Sequence, residues 1–275
     1  MSLLKKTQEI CRQYNIKPQK SKGQNFLINE KIYSDIVNRA KIDGENVLEV
    51  GPGLGFLTAK LVNRAKFLVA VELDKNLYNF LQAINLTYDN KKLKVVNQDI
   101  LKFNPADYFS PKDSYCIVSN LPYNISSIFL RTYLNSYFPP KKLFLMLQKE
   151  VAQRIIEKEP KMNLLSFSVQ YYAEVNLIKI IKADNFWPKP EVDSALIEIN
   201  YKEKEKNKEF DKALFRLAKI GFSAKRKMLK NNLSKSLKID EGEIISIFKK
   251  CNIKEKARAQ ELSINDWLKL ANYIN

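Results

Sequence analysis

NVLEV-GPGLG-FLTAKLVNRA, residues 46–65, decides the fold. A short apolar run leads straight into a turn with glycine at positions 51, 53 and 55, and helical periodicity follows. A strand, a glycine turn and a helix in that order open a parallel α/β sheet and set backbone N–H groups at the mouth of a helix.

The same alternation continues outward. FLVAVEL (67–73), LKVVNQD (93–99), YCIVS (115–119) and KLFLMLQ (142–148) read as strands. DKNLYNFLQAI, ISSIFLRTYLNSY and KEVAQRIIEK read as the helices that follow the second, fourth and fifth. Continuously apolar strands are those covered on both faces, which makes this a parallel, doubly wound sheet. Upstream, Leu3–Tyr14 and residues 31–42 read as helices. After Pro160, LLSFSVQYYAEV reads as helix, or helix into strand. VNLIKII and SALIEIN flank the loop KADNFWPKPEVD as an antiparallel hairpin at the sheet edge, which makes seven mostly parallel strands. YKEKEKNKE (201–209) is a charged linker. FDKALFRLAKIGF, KRKMLKNNLSKSL, EGEIISIFKKC and SINDWLKLANYI beyond it are helical, and Ser263 with Asp266 has the spacing of a capping box. The expected division is therefore an α/β domain over 1–200 and a small all-helical domain over 201–275.

Composition narrows the chemistry. The 275 residues include no histidine, which excludes histidine triads, histidine general bases and histidine zinc ligands, and no metal site is expected. The three cysteines, Cys11, Cys116 and Cys251, form no CxxC pair and read as reduced and structural. No run reaches the roughly 18 apolar residues of a membrane span, and the first twenty residues have no signal-peptide pattern, so a cytoplasmic protein without membrane contact is expected. The net charge of +17 points to a polyanionic partner. The excess sits at the ends: residues 201–275 hold 19 basic and 10 acidic residues, and residues 1–30 hold six and two. That distribution fits a nucleic-acid footprint.

The glycine turn departs from a dinucleotide fingerprint, because position 56, where a third glycine would complete G-x-G-x-x-G, is phenylalanine. Glu72 ends the second strand about where an acid meets ribose hydroxyls. Asp99 ends the third, where a carboxylate can accept from an adenine amino group. No G-x-x-x-x-G-K-[ST] cradles a triphosphate. A nucleoside without phosphates in such a crevice suggests S-adenosylmethionine, whose methyl group is already activated.

NLPYNISS (120–127) follows the fourth strand. In a doubly wound sheet that strand lies beside the glycine-turn strand, at the switch point where ligands bind. An exocyclic adenine amine is a poor nucleophile because its lone pair is delocalised into the ring. The Asn120 amide oxygen and the Leu121 carbonyl would hold its two hydrogens, while Pro122 restricts Leu121 to an extended conformation. Tyr123 offers a face for the base. No general base is needed.

With these residues in view, the chain resembles the rRNA adenine N6,N6-dimethyltransferases, and among them the bacterial small-subunit type. The resemblance rests on GQNFL (23–27), VLEVGPGLGFLT (47–58), VELD (71–74), QDIL (98–101), NLPYNISS, LQKEVAQRI (147–155), SVQYYAEV (168–175), FWPKPEVDSA (186–195), FSAKRKMLKNNL (222–233) and ARAQELS (257–263). It implies a Rossmann-like methyltransferase domain that binds S-adenosylmethionine, with a helical rRNA-binding domain. It implies dimethylation of two adjacent adenosines near the 3′ end of 16S rRNA, in the immature small subunit, by a monomer with a role in assembly. Asn25, Leu27, Gly51, Gly53, Glu72, Asp99, Ile100 and Asn120 would contact the cofactor. Asn120, Leu121, Pro122 and Tyr123 would hold the target, and Phe186 would pack on it from the opposite side. Lys225, Arg226 and Lys227 would meet phosphates. Met162-Asn163-Leu164 replaces the Tyr-Gly-Arg segment usual in the family, so a loop arginine is missing there. The related large-subunit methyltransferases of macrolide resistance share the cofactor motifs, but GQNFL, ARAQELS and the longer basic C-terminal part speak against them. A mainly non-catalytic assembly factor is the other alternative.

Overall fold

In the computed structural model, residues 1–19, 23–85, 91–110, 112–203 and 207–274 are described. The middle of the charged linker, residues 204–206, and positions 20–22, with Lys20 and Lys22, lie outside them. The chain packs as two units, Met1–Ala152 with Glu174–Tyr201, and Gln153–Ala173 with Lys202–Asn275.

The elements follow in chain order as α1 (Leu3–Gln13), β1 (Phe26–Leu27), α2 (Glu30–Ala40), β2 (Asn46–Val50), α3 (Phe56–Leu61), β3 (Phe67–Glu72), α4 (Lys75–Asn85), β4 (Leu93–Asn97), β5 (Tyr115–Asn120), α5 (Ser126–Leu134), β6 (Lys142–Gln148), α6 (Lys149–Ile156), α7 (Leu164–Gln170), β7 (Ala173–Ile181), β8 (Phe186–Trp187) and β9 (Ser194–Tyr201). The helices α8 (Lys208–Gly221), α9 (Leu229–Leu237), α10 (Glu241–Cys251) and α11 (Ile264–Ile274) complete the chain.

Among the described residues the main sheet has seven strands in the order β4-β3-β2-β5-β6-β9-β7. The pairs β2–β3, β3–β4, β2–β5 and β5–β6 are parallel, and β9 joins β6 antiparallel. This is the Rossmann-like arrangement, and the switch point falls between β2 and β5. Burial follows the layers: every residue of β2 is buried, whereas β4 and β7, at the two edges, alternate. The hairpin expected at the edge therefore places β9 inside the sheet and only β7 at its margin. A separate two-stranded ribbon pairs β1 with β8. The helix after the glycine turn stops at Leu61, earlier than the pattern suggested, and closes through turns to Ala65.

The expected boundary near residue 200 differs from the packing in one respect. Residues 153–173, which carry α7, group with the C-terminal helices. The aromatics explain it: the Phe167 ring meets Phe215 and Trp267, and the Tyr171 and Tyr172 hydroxyls donate to the Asp211 carboxylate. Asn163, in the segment that departs from the family pattern, caps α7 in a reciprocal capping box with Ser166. Ser263 and Asp266 form the same kind of box at α11. Helix α9 begins only at Leu229, which leaves Lys225–Lys227 in the preceding turn, exposed. The three cysteines are buried and free. No helix among the described residues is long and apolar enough to cross a membrane.

Candidate active site

The C-terminal ends of β2, β3, β4 and β5 enclose a cavity of about 160 Å³, roughly ten times the room one water molecule needs. Asn25, Leu27, Gly51, Gly53, Glu72, Asp99, Ile100, Asn120, Leu121, Pro122 and Tyr123 all line it.

The glycine turn is shaped by contact. Gly51 and Gly53 have φ of 63° and 59°, a region that side chains disfavour. A Cβ on Gly51 would lie 3.2 Å from Pro122 Cγ, and one on Gly53 would lie 3.2 Å from Phe26 Cε1. The turn is thus clasped by the strand-to-helix connection of β5 on one side and by β1 on the other.

Glu72 is 6 % exposed. Its Oε2 accepts from the Gly53 N–H at 3.2 Å and its Oε1 from the Asp74 N–H at 2.8 Å. Burial raises its pKa, and these backbone donors oppose the rise. Asn97 steadies the end of β3 by donating to the Glu72 and Leu73 carbonyls at 2.8 and 3.2 Å. Asp99 accepts from the Leu101 N–H at 2.9 Å, which directs its carboxylate from the end of β4 into the same crevice.

On the other side, Asn120 Nδ2 donates to the Asn25 carbonyl at 3.4 Å. That contact turns Nδ2, and not Oδ1, toward the Asn25 carbonyl. The Leu121 N–H donates to the Met146 carbonyl at 3.1 Å, and Pro122 has φ −54° and ψ 127°. Neither Asn120 Oδ1 nor the Leu121 carbonyl accepts a hydrogen bond among the described residues. The Tyr123 hydroxyl lies 2.6 Å from Ser194 Oγ, and burial keeps the phenol's pKa above its ordinary value. Beyond Tyr123 lies a second chamber of about 350 Å³, bounded also by Asn25, Asn124, Gln148, Lys189 and Val192.

The ribosomal RNA adenine dimethylase family model matches residues 15–275. The ribosomal RNA small subunit methyltransferase A of Dehalococcoides mccartyi strain CBDB1 is 37% identical over 98% of this chain and 92% of its own length. The crystal structure of a dimethyladenosine transferase from Plasmodium falciparum superposes with a TM-score of 0.75 at 26% identity, covering 88% of this chain and 94% of that one. The 23S rRNA methyltransferase ErmE shares the fold, with a TM-score of 0.71 at 21% identity over 91% and 99% of the two chains. The chain belongs to the ribosomal RNA adenine dimethylase family. It is an S-adenosylmethionine-dependent rRNA methyltransferase.

The cavity of this methyltransferase suits that donor. Its acids are Glu49, Glu72, Asp74 and Asp99, a lining suited to a cationic nucleoside, and no lysine or arginine among the described residues lines it. Among the lining residues not foreseen from the sequence are Glu49 and Tyr33. Glu49 is 1% exposed, and its Oε2 is buried without a hydrogen-bond partner among the described residues. Burial pushes its pKa up to about 8; the nearby Thr58 hydroxyl opposes the shift without hydrogen-bond geometry, and the charge of Glu72 adds to it. The signal was one carboxylate in an otherwise apolar strand, NVLEV. Tyr33, whose hydroxyl donates to the Leu27 carbonyl at 2.9 Å, had no comparable signal.

Phe186 is not brought to the cavity. It is 2% exposed, pairs across the ribbon with Leu27 and belongs to the core that backs β1. Lys225, Arg226 and Lys227 lie in the helical unit.

Proposed function

We propose that this enzyme dimethylates N6 of two adjacent adenosines near the 3′ end of 16S rRNA, as a cytoplasmic monomer acting on the immature small subunit. The observation that carries the reading is the pair of unmatched acceptors, Asn120 Oδ1 and the Leu121 carbonyl, at the edge of an acidic nucleoside cavity.

Bound S-adenosylmethionine supplies an electrophilic methyl group on a sulfonium. Glu72 accepts from its ribose hydroxyls and Asp99 from its adenine amino group, with Asn25, Leu27, Gly51, Gly53 and Ile100 forming the surrounding wall. Asn120 Oδ1 and the Leu121 carbonyl accept the two N6 hydrogens of the target, which turns the nitrogen lone pair out of conjugation and toward the donor. Tyr123 stacks on the base, worth about 1–3 kcal/mol, against a cost of a few kcal/mol for flipping a nucleotide. The proton displaced from N6 passes to water. Phe186 acts through Leu27 by stiffening the ribbon behind the donor. Lys225, Arg226 and Lys227, exposed in the turn before α9, contact phosphates.

The test is Asn120→Ala with unmethylated 30S subunits and labelled donor. Methyl incorporation at the two adenosines is abolished while affinity for the RNA is retained. Incorporation at the wild-type rate refutes the mechanism; in a parallel assay of the wild-type enzyme, incorporation into 50S but not 30S subunits refutes the substrate.

A further inference from the structure

The ladder between β2 and β5 is incomplete. It is registered at Asn46 with Tyr115, Val47 with Cys116 and Leu48 with Ile117, and goes no further. Both strands continue on their outer sides, β2 along β3 to Val50 with Val71, and β5 along β6 to Asn120 with Met146. The two central strands therefore part just before the glycine turn and the asparagine, and the cavity opens in the gap. Continued register would set Val50 opposite Ser119. There, in place of a backbone rung, the Ser119 hydroxyl donates to the Val50 carbonyl at 2.6 Å, fully within the protein. Ser119 is 2% exposed.

The peptide group that this hydroxyl grips joins Val50 to Gly51. Its carbonyl accepts from Ser119, and its N–H donates to the Val71 carbonyl on β3 at 2.9 Å. The plane of the peptide entering the glycine turn is thus held from both sides. The residue after Ser119 is Asn120, so one side chain ties the donor's turn to the strand end that presents the acceptors.

We propose that Ser119 is a positioning residue for methyl transfer: its hydroxyl replaces the missing rung and sets the spacing between the glycine turn and Asn120. The inference rests on the proposed role of Asn120. It acts through backbone geometry and touches neither donor nor target.

The experiment compares Ser119→Ala, Ser119→Thr and Asn120→Ala in the full chain with unmethylated 30S subunits, together with titration of S-adenosylmethionine and a thermal melt. A displacement of reacting groups by a fraction of an ångström lowers kcat of Ser119→Ala by about tenfold or more. KM for the subunit stays within about twofold, and the threonine variant, which keeps the hydroxyl, recovers kcat to within about twofold. Unchanged kcat in Ser119→Ala overturns the proposal. So does a loss that threonine does not recover, or a loss of kcat and KM that follows a lowered melting midpoint. Loss in Asn120→Ala with none in Ser119→Ala refutes this inference alone, whereas full activity in Asn120→Ala refutes the reading beneath it.

Discussion

Removing the Tyr123 hydroxyl separates what the ring does from what holds it. The hydroxyl is 2.6 Å from Ser194 Oγ, and Ser194 is wholly buried on β9. A neutral hydrogen bond in such a place contributes about 0.5–1.5 kcal/mol net. Because it fixes the angle of a ring meant to stack on the target, the loss appears in the transition state rather than only in folding. Tyr123→Phe then lowers kcat/KM for 30S subunits by about two- to thirteenfold. Tyr123→Ala also removes the stacking face, a further 1–3 kcal/mol or roughly 5- to 150-fold. Ser194→Ala matches Tyr123→Phe, and the double variant is no worse than either, a coupling of about 1 kcal/mol. The phenol's raised pKa keeps it neutral through the assay range, so a tyrosinate has no part in the difference. The assay is incorporation of labelled methyl groups at limiting subunit concentration. Additive single effects, or equal losses in the phenylalanine and alanine variants, would refute the claim that the ring itself supports the target.

Three further outcomes are expected. Glu49, whose pKa rises from 4.5 to about 8, keeps its proton in the folded chain where the unfolded chain has lost it, so stability falls as pH rises through that window. In urea melts without donor, Glu49→Gln gains on the wild type by up to about 1.4 kcal/mol per pH unit between pH 6 and 8, and a constant difference would count against the burial argument. In the helical unit, a Cβ on Gly221 would lie 2.4 Å from Trp267 Cη2 and 2.9 Å from Leu229 Cδ1. Gly221→Ala therefore destabilises by about 1–3 kcal/mol despite its better helix propensity, and an unchanged or raised melting midpoint contradicts the packing. RNA affinity falls steeply with salt, and replacing Lys225, Arg226 and Lys227 by alanine flattens the log–log slope by roughly two to three units; a parallel line would remove those residues from the phosphate contacts.

The parts of this fold legible in the sequence are those decided by local burial. β2 and β6 begin and end at the residues marked by their apolar runs, because a strand covered on both faces carries no polar interruption except at a site. Glu72 and Asp99 could be placed beside the glycine turn because strand ends in a parallel sheet converge on one crevice. What escaped depends on partners far away in the chain. Phe186, expected to pack on the target from the opposite side, lies in a ribbon that pairs with Phe26–Leu27, which turns the ring into the core. The antiparallel hairpin at the sheet edge was expected, but no local period announces that β9, rather than β7, is its strand on β6. Residues 153–173 fall within the expected 1–200 domain, yet the Phe167, Tyr171 and Tyr172 cluster commits them to the helical unit. Glu49 was passed over although its strand read as covered on both faces; the lone carboxylate within NVLEV was the available signal, and it is enclosed.

Charge also divides the work of the enzyme. The chain is strongly cationic, yet among the described residues every charged side chain lining the donor cavity is acidic. An anionic pocket in a cationic protein attracts the positively charged donor and repels phosphates, while the outer field draws RNA from a distance. The RNA backbone therefore gains nothing by entering, whereas a neutral base does, and the acceptors at Asn120 and Leu121 favour a base with two amine hydrogens. The chamber beyond Tyr123 carries both signs, with Lys189 and Glu191 on its wall. In a chain without histidine, selection of the nucleophile falls to this gradient and to two oriented oxygens, and a titrating base becomes unnecessary.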